Sequence, residues 1–413
     1  MNDITTITLP NGLALAVERM PGVKSAAISI LLPAGGAFDP ADRLGRAAMW
    51  SELVMRGAGD LSSRQQADAF DRAGVSRTAS CGPITFRIAG VFVGRSLPIA
   101  LPLLLDMVRR PRMSPDAIDP ARDLALQALA SLHDDPHERA VLLARERHLP
   151  DPLNRSGLGD EPGLRAISRD DLLDGWARCA RPRGSVVAVA GDVSRESVLA
   201  SLEPLITDWT GSNPEPAPGA APVRGYSHEQ DDTSQVQILV VSDAPPEHHP
   251  DSILEKLRAA VLSGGMSGRL FTEVREKRGL CYSVSASYQG DRAFGLFSAY
   301  VGTTPERAQQ SLDVLLAELD RPGTPAGRVT QDEFDRARIG MKSALVFSGE
   351  STAARAAALA SDMRRIGRPR ALDELADAID AVTLDRLNDY LARRDPGRRT
   401  ILTLGPRALV APV

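Results

Sequence analysis

The chain opens on short β-branched and apolar runs cut by glycine and proline. Ile4–Leu9 reads as a strand, Pro10-Asn11-Gly12 as a turn and Leu13–Glu18 as the returning strand, since Asn-Gly between apolar runs supplies the positive φ that a tight hairpin needs. Ser25–Leu32 is a further strand, Pro33-Ala34-Gly35-Gly36 breaks it, and Leu44–Met55 carries a helical pattern. The second half begins in the same way. Val236–Val241 predicts a strand and Ser252–Leu262 a helix, then the glycine turn Ser263-Gly264-Gly265 and a helix over Ser267–Lys277. Strands over Tyr282–Tyr288 and Gly295–Val301 follow, and long helices over Pro305–Leu319 and Gln331–Val346. Strands and helices in this order predict an α+β fold in each half, a mixed, mostly antiparallel sheet with helices packed on one side.

Between the halves lies Gly211-Ser212-Asn213-Pro214-Glu215-Pro216-Ala217-Pro218-Gly219-Ala220-Ala221-Pro222. So many prolines and glycines support neither a helix nor a central strand, and the stretch reads as a linker. It predicts an N-terminal domain over 1–210, a linker over 211–223 and a C-terminal domain over 224–413. Equal halves invite a search for duplication. An offset of 215 residues lays Ile167-Ser168-Arg169-Asp170-Asp171-Leu172 on Val382-Thr383-Leu384-Asp385-Arg386-Leu387 without a gap. The same offset lays Val186–Ala190 on Ile401–Gly405. Each copy reads as a Ser or Thr N-cap, an acidic first turn, an amphipathic helix and a β-branched strand. Two tandem homologous domains follow as the expected architecture.

Composition narrows the function classes. With 413 residues, 43% hydrophobic and 25% charged, the chain has the make-up of a soluble globular protein. A net charge of -4 and only 4% aromatic residues give no footprint for a nucleic acid. Ser96–Met107, the most apolar stretch, is short and holds Pro98 and Pro102, whereas a membrane span takes about 20 apolar residues. Met1–Thr6 lacks the basic start and apolar run of a secretory signal. Cys81, Cys179 and Cys281 are odd in number and far apart, which fits a reducing, cytoplasmic setting better than a disulfide framework.

The residues with recognisable chemistry are concentrated in one segment. Leu262-Ser263-Gly264-Gly265-Met266-Ser267-Gly268-Arg269-Leu270-Phe271, followed by Val274-Arg275-Glu276-Lys277-Arg278-Gly279-Leu280-Cys281-Tyr282-Ser283-Val284, is long and specific. With Leu9-Pro10-Asn11-Gly12-Leu13 it resembles the pitrilysin/insulinase family of inverted-motif zinc peptidases. The closer likeness is to the two-domain branch that includes the mitochondrial processing peptidase subunits and their bacterial relatives. The likeness covers essentially the whole chain. Active members carry H-x-x-E-H on the first long helix, with two histidines on zinc and the glutamate as general base, plus a glutamate ligand further on. Here the corresponding helix places Ala48 and Glu52 at the histidine positions and Ser51 at the base position. A shift by one puts Glu52 on the base but Met49 and Leu53 on the ligands. The third ligand falls on Gln127 or Ala128. No register supplies a histidine, so the resemblance implies a degenerate motif and no metal held by this chain, with zinc expected in a partner.

The remaining histidines offer no substitute. His133 and His137 stand four apart, but Pro136 interrupts the helix that would align them. His248-His249 lies between Pro246 and Pro250, as a loop. Gly264 and Gly265 lack both the P-loop ending and the dinucleotide spacing and read as a turn lining a peptide site. Spacing alone describes Arg275 and Tyr282 as a helix-end arginine paired to a glutamate and a half-buried tyrosine. The resemblance implies instead an arginine–tyrosine pair that holds substrate from the C-terminal domain, a guanidinium for carbonyl or carboxylate and a phenol for a developing oxyanion. The expected function is that of the metal-free subunit of a heterodimeric zinc metallopeptidase, inactive alone, acting on unfolded peptide with a homologous zinc-bearing subunit. The alternative is a pseudo-peptidase scaffold or peptide-holding subunit, including as a homodimer, without proteolysis.

Overall fold

The computed structural model describes residues 3–216 and 219–412. Met1 and Asn2 of the N-terminal stretch, Ala217 and Pro218 of the linker, and Val413 lie outside the described residues. The strands are β1 (Asp3–Thr8), β2 (Ala14–Arg19), β3 (Ser25–Leu32), β4 (Gly57–Ala58), β5 (Leu61–Ser62), β6 (Ser76–Cys81), β7 (Phe86–Val93), β8 (Val186–Gly191), β9 (Gly225–Gln230), β10 (Val236–Ala244), β11 (Cys281–Gly290), β12 (Gly295–Thr303) and β13 (Thr400–Gly405). The first eight helices are α1 (Arg46–Leu53), α2 (Ser63–Ala73), α3 (Leu97–Arg109), α4 (Pro115–Ala130), α5 (Pro136–His148), α6 (Glu161–Ala166), α7 (Arg169–Cys179) and α8 (Arg195–Leu202). Then come α9 (Ser252–Ser263), α10 (Ala308–Asp320), α11 (Gln331–Gly349), α12 (Thr352–Ile366), α13 (Leu372–Asp380) and α14 (Leu384–Arg393). No helix among the described residues is long and apolar enough to cross a membrane.

Two compact units result. Unit 1 holds the chain up to Ser131, Asp151–Ala220 and Ser348–Ala371; unit 2 holds Leu132–Pro150, Ala221–Phe347 and the chain from Leu372 onward. The linker thus falls where unit 1 gives way to unit 2. The units are not simple sequence halves, however. Residues 132–150, carrying α5, belong to unit 2, and residues 348–371, carrying α12, belong to unit 1.

In unit 1 the sheet order is β1-β2-β8-β3-β7-β6. β8 runs parallel to β2 and antiparallel to β3, and β7 is antiparallel to both β3 and β6. In unit 2 the order is β11-β12-β10-β13-β9, with β13 parallel to β9 and antiparallel to β10, and β12 antiparallel to β10 and β11. Matching β2, β8, β3, β7 and β6 with β9, β13, β10, β12 and β11 makes the two topologies the same. β1 is an additional edge strand of unit 1. The offset of 215 residues persists in detail. Ser168 caps α7 by accepting from the Asp171 amide, and Thr383 caps α14 by accepting from the Arg386 amide. The same offset carries Pro115–Ala130 onto residues 330–345, within α11 apart from one residue, and Pro136–His148 onto 351–363, the body of α12.

The expected helical layer covers one face of each sheet. In unit 1 it packs Leu15, Val17, Ile28, Ile30, Val187 and Val189 against Trp50, Leu104, Leu172 and Trp176. Trp176 meets Trp50 and Phe86 edge-on at 5.3 and 5.2 Å, an arrangement that adds to the burial of large aromatic area. The other face carries one helix, α12, whose Ala356, Leu359 and Ala360 pack on Ala16, Ala27, Leu31, Val186, Ala188 and Ala190. This explains why β8 is buried along its whole length rather than alternately: a strand covered on both faces needs apolar side chains on both. Arg355 of α12 donates to Glu18 of β2 at 2.8 Å, with both side chains buried. In unit 2, α5 takes the same position on β10 and β13.

Candidate functional site

The degenerate zinc-motif positions lie on α1 and α4 of unit 1, which pack together. The start of α1 is fixed by Asp39, whose carboxylate accepts from the Gly45 amide at 2.8 Å and from Arg46 Nε at 3.2 Å. Burial pushes this carboxyl up to about 6 in spite of the neighbouring Arg46. Further along α1, Ala48 is buried, Ser51 Oγ donates to the Ala48 carbonyl at 2.6 Å, and the Glu52 carboxylate lies 3.8 Å from the Arg56 guanidinium. Gln127 and Ala128 are exposed on α4. The donor set does not fit zinc. Ala48 and Ala128 present only carbon, the Ser51 hydroxyl is spent on its own helix, and Glu52 is turned to an arginine. A catalytic zinc takes three protein ligands and a water. Among the described residues no group of three or more His, Cys, Asp or Glu side chains could hold a metal.

The histidines are placed by structure rather than chemistry. His133 ends a short turn, Pro136 opens α5, and the His137 ring stacks edge-on against Tyr300 at 4.3 Å. His148, fully buried, has Nδ1 3.0 Å from Thr400 Oγ1 and Nε2 3.3 Å from Asp243. Burial, with Arg224 beside it, pushes its pKa down to about 4.

Unit 2 brings the arginine and tyrosine together. The glycine turn falls where expected: a Cβ on Gly264 would lie 2.3 Å from the Ala260 carbonyl oxygen, while Gly265 sits at φ +121°. The helix expected over Ser267–Lys277 is shorter and wider. From Phe271 to Glu276 it is a π-helical turn, in which the Lys277 amide donates to the Thr272 carbonyl, five residues back. Such widening shifts side-chain direction relative to an α-helix. Gly279 ends the turn at φ +58°, its amide donating to the Arg275 carbonyl at 2.9 Å. β11 then begins at Cys281. As a result the Arg275 guanidinium stands 5.2 Å from the centre of the Tyr282 ring and 4.8 Å from that of Phe271, within cation–π range.

The pair is not a helix-end ion pair with a half-buried tyrosine. Tyr282 is 80% exposed. The nearby acid, Glu273, is taken by Lys277 and Arg278 at 2.8 Å each, and those hydrogen bonds hold its carboxyl down to about 2. Arg275 makes no ion pair among the described residues, and two ring faces hold its charge. Phe271, the second ring, carries a sequence signal only in its four-residue spacing to Arg275, which brings both to one side of a helix. Next to the pair, β11 is the edge strand of its sheet, and its Ser283, Ser285 and Ser287 are exposed.

Residues 166–341 match the family described as the peptidase M16 inactive domain. An uncharacterized zinc protease of Mycobacterium tuberculosis is 26% identical over 413 residues, covering 97% of this chain and 92% of that protein. One of Streptomyces coelicolor is 28% identical over 413 residues, covering 97% and 89%. Another, of Bacillus subtilis, is 25% identical over 400 residues, covering 95% of each. Among solved structures, a peptidase M16 inactive domain from Pseudomonas fluorescens superposes with a TM-score of 0.86 at 20% identity, covering 99% of this chain and all of that one. A protease from Helicobacter pylori gives 0.86 at 17% identity, covering 98% and 100%. These two likenesses speak to fold. Residues 166–341 are thus similar to the peptidase M16 inactive domain, the chain as a whole is similar to proteins described as uncharacterized zinc proteases, and its fold is that of the two solved structures.

Proposed function

We propose that this chain is the metal-free subunit of a two-chain zinc peptidase. It supplies Arg275 and Tyr282 to a homologous partner that carries the H-x-x-E-H site and hydrolyses unfolded peptide. The observation that supports this reading is the Arg275–Tyr282 pair itself, a guanidinium with no carboxylate partner among the described residues, beside a phenol that is 80% exposed. A structural arginine is ordinarily neutralised; one left for an outside acceptor is suited to a peptide carbonyl or carboxylate. The phenol donates to an oxygen that gains negative charge as the scissile carbonyl is attacked. The free edge of β11 offers main-chain hydrogen bonds to an extended peptide, which reads backbone rather than sequence. With three free cysteines, two of them, Cys81 and Cys179, pushed by burial up to about 11, the proposed location is the cytoplasm.

The experiment mixes the purified chain with the zinc-bearing homologue of the same host. The lone chain is expected to be inactive and zinc-free, and the mixture active. Arg275→Ala or Tyr282→Phe should lower the mixture's turnover about tenfold or more, and unchanged turnover rules out the assigned roles. A chain that binds peptide but stimulates no partner is instead a peptide-holding scaffold.

A further inference from the structure

Unit 2 contains a cleft that the Arg275–Tyr282 pair does not use. It has a volume of about 270 Å³ and lies between α9 and α11, beside the glycine turn. Ala260, Gly264, Gly268, Ala337, Gly340 and Ala344 make a floor of carbon and small residues. One water occupies about 30 Å³, so the space suits a large side chain, and the floor offers little to hold water. Two charged groups stand at it, Glu333 and Arg336. Glu333 is committed, gripped by Arg269 at 2.7 and 2.8 Å. Arg336 is exposed and makes no ion pair or hydrogen bond among the described residues. The cleft therefore presents an uncompensated cation beside an apolar hollow.

Gly340 adds an independent argument. It lies in the interior of α11, without a positive φ, and a Cβ there would meet nothing within 4 Å. Glycine inside a helix is destabilising relative to alanine, and neither close packing nor backbone geometry calls for it here. Gly340 lines the cleft, and a side chain there would enter open space beside it. The turn beside the cleft runs into the Arg275 segment and then into β11, and α9, one wall of the cleft, packs against β11.

We propose that this cleft is a subsite for one large apolar side chain of an extended peptide, with a carboxylate two residues further along, on the same side of that peptide, meeting Arg336. The proposal rests on the peptide-holding reading and specifies what kind of peptide is held: an apolar residue two positions from an acidic one.

The test measures binding of the full chain by fluorescence anisotropy. The probe is a fluorescein-labelled octapeptide of glycine and serine with a central phenylalanine–glycine–glutamate segment. Its controls replace phenylalanine by glycine, or glutamate by glutamine. The phenylalanine–glutamate peptide is expected to bind best. Gly340→Leu fills the cleft from within, and should weaken that binding about tenfold or more, since burial of a phenylalanine is lost, while the melting temperature holds or rises. Arg336→Ala should erase the preference for glutamate over glutamine and leave that for phenylalanine. If the wild-type chain binds the peptides but Gly340→Leu changes nothing, the cleft assignment is wrong and the peptide-holding reading stands. If no peptide binds at all, both fall. If Gly340→Leu abolishes self-association in ultracentrifugation while peptide binding is unmoved, the occupant is a second copy of the chain, and the peptide subsite is refuted.

Discussion

The two units share one strand topology and one offset but differ in what their matching helix pairs do. In unit 1, α1 and α4 close together. Ala48 is buried, Ser51 bonds its own helix and Glu52 faces Arg56. In unit 2, α9 and α11 leave a cleft, and the turn after α9 carries an uncompensated Arg275 beside an exposed Tyr282. The difference teaches that, apart from Ala48, which is packed in the core, the residues that hold the fold and those that would hold a metal are separate residues of the same helices. Trp50 and Met49 of α1 are wholly buried, whereas Glu52 is partly exposed and Gln127 and Ala128 of α4 are exposed. Ligands can be absent from such positions without loss of the core.

The helices that come from the far half of the sequence give the sharpest contrast. On unit 1, α12 docks through alanines and one buried ion pair, Glu18–Arg355. On unit 2, α5 docks through Arg139, which pairs with Glu229 and Asp231 at partly exposed positions, and through His148. Glu18→Ala strands a buried guanidinium and should cost about 3–5 kcal/mol in urea unfolding. Arg139→Ala should cost about 1 kcal/mol or less. Equal costs would break the comparison.

The second expectation concerns pH. The folded-state pKa of His148 is depressed to about 4, below the unfolded value of about 6.5. Native protein therefore keeps this imidazole neutral while the unfolded chain takes up a proton. The stability it contributes is present above about pH 6.5 and is lost as pH falls toward 4, by up to about 3 kcal/mol. Melting temperatures measured from pH 7 to 4 should fall, and His148→Asn should flatten that decline. An unchanged slope would remove His148 from the account. The smallest effect is expected at the degenerate motif: Glu52→Ala should change stability by about 0.5 kcal/mol or less and leave metal content untouched. A larger loss would mean that this carboxylate does more than face Arg56.

Much of this was legible in the sequence where the determinants are local. The linker prolines, the caps at Ser168 and Thr383, and Gly279 ending the turn after Arg275 all act within a few residues of themselves. The apolar run of β8 is legible as a strand, but its cover on both faces is not, since helices were expected on one side only. The identity of the covering helix was not legible, because amphipathic periodicity says that a face is buried but not against which sheet. Hence α5 and α12 were not assigned to units 2 and 1. The π-helical turn was hidden for a similar reason. Its spacing is that of a helix, and the burial of Val274 and Leu280 on either side of it is not marked by any local pattern. The cleft was invisible because it is defined by what Gly340 lacks.

The central claim is that this chain contributes an arginine and a tyrosine, not a metal, to peptide hydrolysis. Its most direct test is the turnover of a fluorogenic peptide by the zinc-bearing homologue titrated with this chain, in wild-type and Arg275→Ala forms. The account predicts no turnover by the chain alone, a rise that saturates as the wild-type chain reaches equivalence with the homologue, and little rise with the variant. Equal stimulation by both forms, or chelator-sensitive hydrolysis by the chain unaided, would contradict it.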